Sequence, residues 1–375
     1  MASRLRVGVM FGGRSGEHEV SLASAFGVMA NLDAERFEVV PIGLAKNGRW
    51  LVGGDAWPAL RAEARLALGP GEEEARLPRG TIEAPAPLAK RGDGLVETSP
   101  AAALASLDVV FPVLHGPYGE DGTVQGLLEL ASIAYVGPGV TASALAMDKV
   151  QTKRVLESAG IAQSPWREVR RVDWERDPAS VRAALEPLGW PLFVKPANLG
   201  SSVGISKAHG EHDLGAALDL AARFDRRMIV EAAVPEAREI EVAVLGNDEP
   251  RASIPGEIVP GGEFYSYESK YVEDSSELLI PAPLSSELAA EAQRLALAAY
   301  RALDLAGLSR VDFLLTRGTD HLWLNEVNTI PGFTPISMYP KLWAATGLPY
   351  RELLSALIEL AMERHRDKAR SVTSI

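Results

Sequence analysis

An α/β fold is predicted for this chain, and three observations carry the prediction. Residues 5–11 form a short apolar run, followed at once by Gly12 and Gly13 and then, from Glu17, by a helical pattern whose apolar positions include Val20, Leu22, Ala23 and Phe26. A second apolar run at 107–114 ends on His115. Towards the C-terminus, Arg310-Val311-Asp312 and Glu326-Val327-Asn328 alternate polar and apolar residues with the period of a half-buried strand. Strand-turn-helix units belong to sheets covered by helices, and such sheets place ligands at the carboxyl ends of their strands. His115 stands at one such end.

Taken in order, the strand at 5–11, the loop Gly12 to Ser15 and the helix from Glu17 open an α/β domain. Residues from about 53 to 100 are rich in Gly, Pro, Ala, Arg and Glu without a sustained period, which predicts an insertion with mobile portions. After the strand at 107–114, a domain boundary falls near Val140. From Ala142 one helix is expected to carry Met147-Asp148-Lys149. An apolar strand at 192–195 ends in Lys195-Pro196, and Ala197 to Gly204 supply small residues for a turn before a strand from Ile205. Met228-Ile229-Val230-Glu231 reads as a further strand, followed by Ala232-Ala233-Val234-Pro235. Residues 261–277 mix glycines, aromatics and charges without a core pattern, as a lid does. The two alternating strands follow, the second broken by Pro331-Gly332. The tail from Arg364 to Ile375 is polar and expected to be frayed, so its removal is expected to leave activity intact.

Composition bounds the function. A chain of 375 residues, 47% hydrophobic and 23% charged, is globular and long enough for two or three cores. Its net charge of −12 argues against nonspecific binding to nucleic acid or anionic membranes, so an anionic nucleotide must meet a local positive site. There are no cysteines, which excludes disulfides and thiolate metal ligands and suits a reducing cytoplasm. The opening apolar run is too short for a signal peptide, and no stretch is long enough to span a bilayer.

Residues two apart on a strand share a face, so Glu326 and Asn328 present oxygens together, as do Arg310 and Asp312 on the preceding strand. Mg²⁺ favours a few carboxylate oxygens plus substrate phosphates, and Asp312, Glu326 and Asn328 are a suitable set. The turn after Lys195 offers backbone N–H groups and the Ser201 and Ser202 hydroxyls to phosphate oxygens, with Lys195 meeting the phosphates from below. Lysine is scarce beside arginine in this chain, yet Lys149, Lys195 and Lys270 all fall inside such motifs. Each feature alone has a plainer reading. A strand can end in polar residues because it surfaces, a Ser-Gly loop is usually a connection, Glu17 could cap its helix, His115 could be a satisfied buried imidazole, and Glu231 and Glu239 could be surface charges.

Seven blocks together carry a resemblance: Phe11 to Ser21, His115-Gly116-Pro117-Tyr118-Gly119-Glu120-Asp121-Gly122, Met147-Asp148-Lys149, the Lys195 to Lys207 loop, Tyr265 to Tyr271, Arg310 to Asp312, and Glu326 to Ser337. In this order they resemble the ATP-grasp ligases, and among them the D-alanine–D-alanine ligase family. The resemblance implies a three-domain ATP-grasp architecture with a Rossmann-like N-terminal domain. Its parts would be a substrate-binding domain at 1–140, a central ATP-grasp subdomain at 141–231, and a C-terminal subdomain at 232–375 that carries the lid.

It further implies ATP, two Mg²⁺ or Mn²⁺ ions and two D-alanine molecules, joined through an acyl phosphate for bacterial peptidoglycan precursors, in a cytoplasmic homodimer that binds neither nucleic acid nor membrane. By resemblance, Glu231, Ala232 and Val234 border the adenine and Glu239 takes the ribose, although an insertion near Ala237 disturbs that register. Lys149, Lys195 and Lys270 balance the phosphates. Glu17 pairs with the first ammonium in a hydrogen-bonded trio with Ser201 and Tyr271, and His115 orients a substrate. Arg310 and the Gly332 N–H stabilise the oxyanion, while Ser337 and the Met338 backbone hold the second carboxylate. A tyrosine at 271 goes with ligases that make the dipeptide rather than the D-lactate ester. Two other functions stay open at this point: a different ATP-grasp carboxylate–amine ligase, and a nucleotide-binding regulator without catalysis.

Overall fold

The computed structural model describes residues 4–53, 56–60, 96–200, 202–260, 277–334 and 337–372. Most of the expected insertion, most of the expected lid, and Ser201, Lys270 and Tyr271 lie outside the described residues.

The first sheet centres on β1 (Leu5–Gly12). On one side lie β2 (Phe37–Leu44), β3 (Trp50–Val52) and β4 (Val96–Thr98), and on the other β5 (Val109–Pro112) and β6 (Ala134–Tyr135). β1, β2, β5 and β6 are parallel, whereas β3 and β4 run antiparallel at the edge. Val7, Val9, Met10 and Phe11 are all fully buried, because a parallel strand covered on both faces needs a continuous apolar run. The chain leaves β1 for β2 on one side and takes up β5 on the other. The carboxyl ends of β1 and β5 therefore form a topological switch point, where a crevice opens.

Helix α1 (His18–Asn31) follows β1. Helix α2 (Pro100–Leu104), together with β4, falls at the far end of the region that composition assigns to an irregular insertion. Both elements are shorter than a period can register. α3 (Thr123–Leu130) precedes β6, and α4 (Val140–Met147) and α5 (Lys149–Ser158) follow it.

The second sheet is antiparallel, with strands β7 (Trp166–Arg170), β8 (Leu192–Pro196), β9 (Ser206–Ala208) and β10 (Arg227–Ala232) in the order β7-β10-β8-β9. Helices α6 (Arg171–Arg176), α7 (Pro178–Leu185) and α8 (Glu211–Phe224) contribute Trp174, Leu185, Leu214 and Leu218 to its core. The third sheet holds β11 (Ala237–Gly246), β12 (Arg251–Ala252), β13 (Gly256–Val259), β14 (Glu277–Leu279), β15 (Gly307–Thr316) and β16 (Leu322–Asn328). Its order is β14-β13-β11-β15-β16, with β12 beside β11. α9 (Ser286–Ala302) lies behind it, and α10 (Met338–Ala345) and α11 (Tyr350–Lys368) close the chain.

Two expectations are corrected. The single helix from Ala142 is two helices, because Asp148 leaves helical geometry at φ −85° and ψ 99° and its Oδ1 caps α5, accepting from the N–H groups of Val150 and Gln151 at 3.1 Å each. Nor does the chain fray from Arg364. α11 stays helical to Lys368, the Arg364 guanidinium donates to Gly137 O at 2.7 Å and stacks 4.3 Å from the Tyr135 ring centre, and Lys368 pairs with Glu129. Leu353, Leu354, Leu357 and Ile358 share one core with Val7, Val9 and Phe111 of the first sheet and Ala243, Leu245 and Leu308 of the third, so the last helix returns to the first sheet and joins it to the third.

One irregularity sets the site. Leu322, Leu324 and Val327 of β16 join the core behind the third sheet, a step of two and then of three. The ladder shifts between the pairs Asp312↔Glu326 and Phe313↔Leu324, leaving Asn325 as the extra residue of a β-bulge. In a regular strand Glu326 would share the core face of Leu324; the bulge turns it outward.

Candidate active site

At the switch point of the first sheet, Glu17 occupies the N-cap position of α1, yet its side chain makes no capping bond, which removes the helix-cap reading. A methyl group on Gly116 (φ +72°) would stand 2.8 Å from Glu17 Oε2, and one on Gly200 3.0 Å from the same atom. The carboxylate thus lies between the loop after β5 and the loop after β8, and glycine at both places makes the room.

His115 is buried, with Nδ1 3.1 Å from Ile330 O and Nε2 3.4 Å from Ser24 Oγ. Burial pushes its pKa down against the opposing pull of Glu17 and the Ile330 carbonyl, so the ring is neutral. Both nitrogens have partners: this is the satisfied imidazole, placed beside Glu17.

The sequence reading missed Glu120. Its Oε2 accepts from Gly116 N at 2.6 Å and its Oε1 from Ile330 N at 3.1 Å, tying the first sheet to the segment after β16. Burial first, and Glu17 next, raise its pKa to about 8 against those two backbone donors. The available signal was its place in the His115 to Gly122 block.

In the second sheet, Lys195 sits in β8 opposite Ile229, and its Nζ lies 2.7 Å from Glu231 Oε2. The other oxygen of Glu231 lies 2.7 Å from Lys153 Nζ, and Glu231 and Lys153 are both buried. Burial alone would raise the Glu231 pKa; the two lysines outweigh it and hold the carboxyl well below the usual range. Lys195 is raised, burial being outweighed by Glu231 and, further off, by Glu326 and Glu239. Glu231 is therefore no surface charge.

Lys149 is bound to the loop after β8 twice, through its N–H to Ala197 O at 2.9 Å and through Nζ to Leu199 O. Ser202 holds φ +59° in that loop. The Ala232 N–H donates to Pro165 O at 2.9 Å, and Val234 is half-buried just beyond. Lys153 was also missed: four residues after Lys149, it reads in sequence as an ordinary helical lysine.

On the third sheet the registers Glu239↔Leu314, Glu241↔Asp312 and Asp312↔Glu326 gather acids on one face. Arg310 grips Asp312 with both arms of its fork, at 2.8 and 2.7 Å, and its Nε lies 3.0 Å from Glu241 Oε2. Burial is its largest influence, but Asp312 and Glu241 reverse it and raise the pKa further. Asn328 Nδ2 donates to Asp312 Oδ2 at 2.8 Å. Among the described residues no group of three or more His, Cys, Asp or Glu is placed to hold a metal ion; Asp312 and Glu326 are two carboxylates, and Asn328 adds a carboxamide.

A methyl group on Gly332 would stand 3.0 Å from Ser337 Oγ, which accepts from Thr334 N at 3.1 Å, and Met338 begins α10 with its side chain buried. His115 and Glu120, beside Glu17, thus meet the segment after β16 at Ile330, and Lys195 lies where Glu326 and Glu239 of the third sheet act on its charge.

Three sheets, with Lys195 of the second near the acids of the third and Glu17 of the first beside the loop after β8, define an ATP-grasp architecture. A family model described as D-ala D-ala ligase N-terminus matches residues 6–138, and one described as D-ala D-ala ligase C-terminus matches 155–359. D-alanine–D-alanine ligases of Deinococcus radiodurans and Natranaerobius thermophilus are 50% and 46% identical, over 96% and 99% of this chain and 98% of each relative. The structure of the D-alanine-D-alanine ligase from Coxiella burnetii has a TM-score of 0.78 at 35% identity, covering 98% of this chain and 97% of that one. VanG D-Ala:D-Ser ligase from Enterococcus faecalis has 0.77 at 34%, covering 96% and 100%. The chain belongs to the D-alanine–D-alanine ligase family.

Proposed function

We propose that this protein uses ATP to join two D-alanine molecules into D-alanyl-D-alanine for bacterial peptidoglycan precursors. The observation that carries this reading is the placement of Glu17 Oε2 against Gly116 and Gly200, which puts a carboxylate, the group an ammonium would seek, beside the loop that follows Lys195. A free carboxylate needs a better leaving group before an amine can displace it, and phosphorylation by ATP supplies one. D-alanyl phosphate is the intermediate, and ADP and phosphate are released.

Phosphoryl transfer is mostly positioning and charge neutralisation. Lys149, Lys195 and Lys270 balance the phosphates, with Ser201 and Ser202 as further donors. Glu231, Ala232 and Val234 border the adenine, and Glu239 takes the ribose. Asp312, Glu326 and Asn328 fit a hard divalent cation, since all three offer oxygens from one face of adjacent strands. They would hold Mg²⁺ or Mn²⁺, as two ions, which would supply neutralisation of phosphate charge when bound. The amine then attacks the acyl phosphate while Arg310 and the Gly332 N–H receive the oxyanion. Glu17 holds the first ammonium, joined by Ser201 and Tyr271, and neutral His115, its ring nitrogens bonded to Ile330 and Ser24, orients the same substrate through its place beside Glu17. Ser337 and the Met338 backbone hold the second carboxylate.

The three sheets, at 5–135, 166–232 and 237–328, support domains at 1–140, 141–231 and 232–375, with α11 returning to the first. A cytoplasmic homodimer is the assembly in which we place this activity; no helix among the described residues is long and apolar enough to cross a membrane.

The test is phosphate release from ATP with D-alanine, L-alanine, D-lactate and D-serine, alone and paired with D-alanine, with products identified by mass. D-alanine-dependent release with a D-alanyl-D-alanine product is expected. A mixed dipeptide or ester formed in preference would refute the second substrate, and release without D-alanine would refute the first.

A further inference from the structure

Lys149 and Lys153 stand one turn apart on the same face of α5, but they do different things. Lys149 reaches the loop after β8. Lys153 turns to Glu231, at 2.7 Å from Oε1, with Ser164 Oγ 3.5 Å from both groups. Lys195 takes Oε2 at the same distance. The site therefore holds one carboxylate between two lysines, Lys153 the more deeply buried and Lys195 the more open, where Glu326 and Glu239 also act on its charge.

A lysine that serves phosphate must turn part of its charge away from any acid that holds it. Were Glu231 paired with Lys195 alone, each approach to phosphate would strand a buried carboxylate without a counter-charge. We infer that Lys153 is a positioning residue for ATP, giving Glu231 a second cation so that Lys195 can turn to the phosphates without leaving that carboxylate unpaired. Lys153 does not touch the nucleotide phosphates in this role. It acts through Glu231, and the inference rests on the reading of Lys195 as a phosphate ligand.

The test compares K153Q, K153R, E231Q, K153Q/E231Q and K195Q in the full-length enzyme by initial-rate kinetics, with thermal unfolding of each variant to establish that it folds. K153Q should raise KM for ATP by about tenfold while KM for D-alanine stays within about twofold. K153R should restore most of the loss. Because Glu231 itself borders the adenine, E231Q is the reference for the double variant: K153Q should add less than about threefold to the KM for ATP of E231Q, since the carboxylate that needed the second cation is gone. A folded K153Q with unchanged KM for ATP, or with both KM values raised alike, overturns the inference. So does a double variant in which K153Q adds its full tenfold to E231Q. Should K153Q not fold, the double variant beside E231Q decides: KM values for ATP within about threefold of each other support action through Glu231, and a further tenfold rise overturns it. If K195Q itself leaves ATP affinity intact, the phosphate role of Lys195 falls, a result distinct from failure of K153Q alone.

Discussion

In the proposed reaction Arg310 has two tasks, to receive the oxyanion and to stay paired with Asp312 and Glu241. Arg310→Ala is expected to raise the barrier to turnover by about 2.7 to 4 kcal/mol with less effect on ATP affinity. It should also lower stability, since Asp312 and Glu241 lose the cation between them. Arg310→Lys keeps the charge without the fork, so it should recover stability better than turnover. Rate measurements beside thermal unfolding of both variants check the split. Glu120 gives a pH dependence of definite sign. Its carboxyl rises from 4.5 to about 8 on folding, so between these values the native state holds the proton more tightly than the unfolded chain does. Its contribution to stability is complete below about pH 4.5 and is lost as pH rises through about 8. Glu120→Gln should flatten that part of the decline in a denaturant titration repeated across the window; an unchanged slope would assign the decline to other groups. Arg310, Asp312 and Lys195 were legible in sequence because period two or a strand end marks them. Lys153 and Glu120 were not, since a charged residue in a helix or a glycine-rich loop looks solvated until tertiary contacts bury it.

The break between α4 and α5 depends on a single side chain. Asp148 caps α5 with one oxygen and receives Asn198 Nδ2 at 3.1 Å and the Arg227 guanidinium on the other. Asp148→Ala is expected to cost about 1 kcal/mol for the cap and, with Arg227 left unpaired, up to about 3 to 5 kcal/mol in total. Asp148→Asn keeps the cap and loses only the charge, so its loss should be smaller. Chemical unfolding of the two variants apportions the roles. Helical propensity on both sides hid this break, because Met147 and Lys149 are good helix formers. The bulge at Asn325 was equally silent: Glu326 and Asn328 were read on the correct face, but the reason they face away from Leu324 is an extra residue in the ladder that only pairing reveals. Sequence patterns located the strands that carry chemistry, whereas the irregularities that aim the side chains are properties of the partner strand.

The molecule closes on itself through α11. Leu353, Leu354, Leu357 and Ile358 are fully buried, and at about 1.5 to 3 kcal/mol each their loss equals a large part of the 5 to 15 kcal/mol that stabilises a typical protein. Deleting residues 349–375 should therefore abolish folding, while deleting only 370–375 should leave it intact; circular dichroism and gel filtration of the two truncations decide. Removing 364–375 would take away Arg364 and its bonds to the first sheet, so that cut is expected to reduce stability, contrary to the polar reading of the tail. The shared core also orders events in time. Val7 leaves the ribosome long before Ile358, yet they belong to one cluster. At about 5 to 20 residues per second, the part of that core which α11 completes waits roughly 20 to 70 s for it. Until then its apolar surface stays open on a nascent chain, and ribosome stalling before α11 would leave this one of the cores unfinished while those of the second and third sheets need no residue of α11.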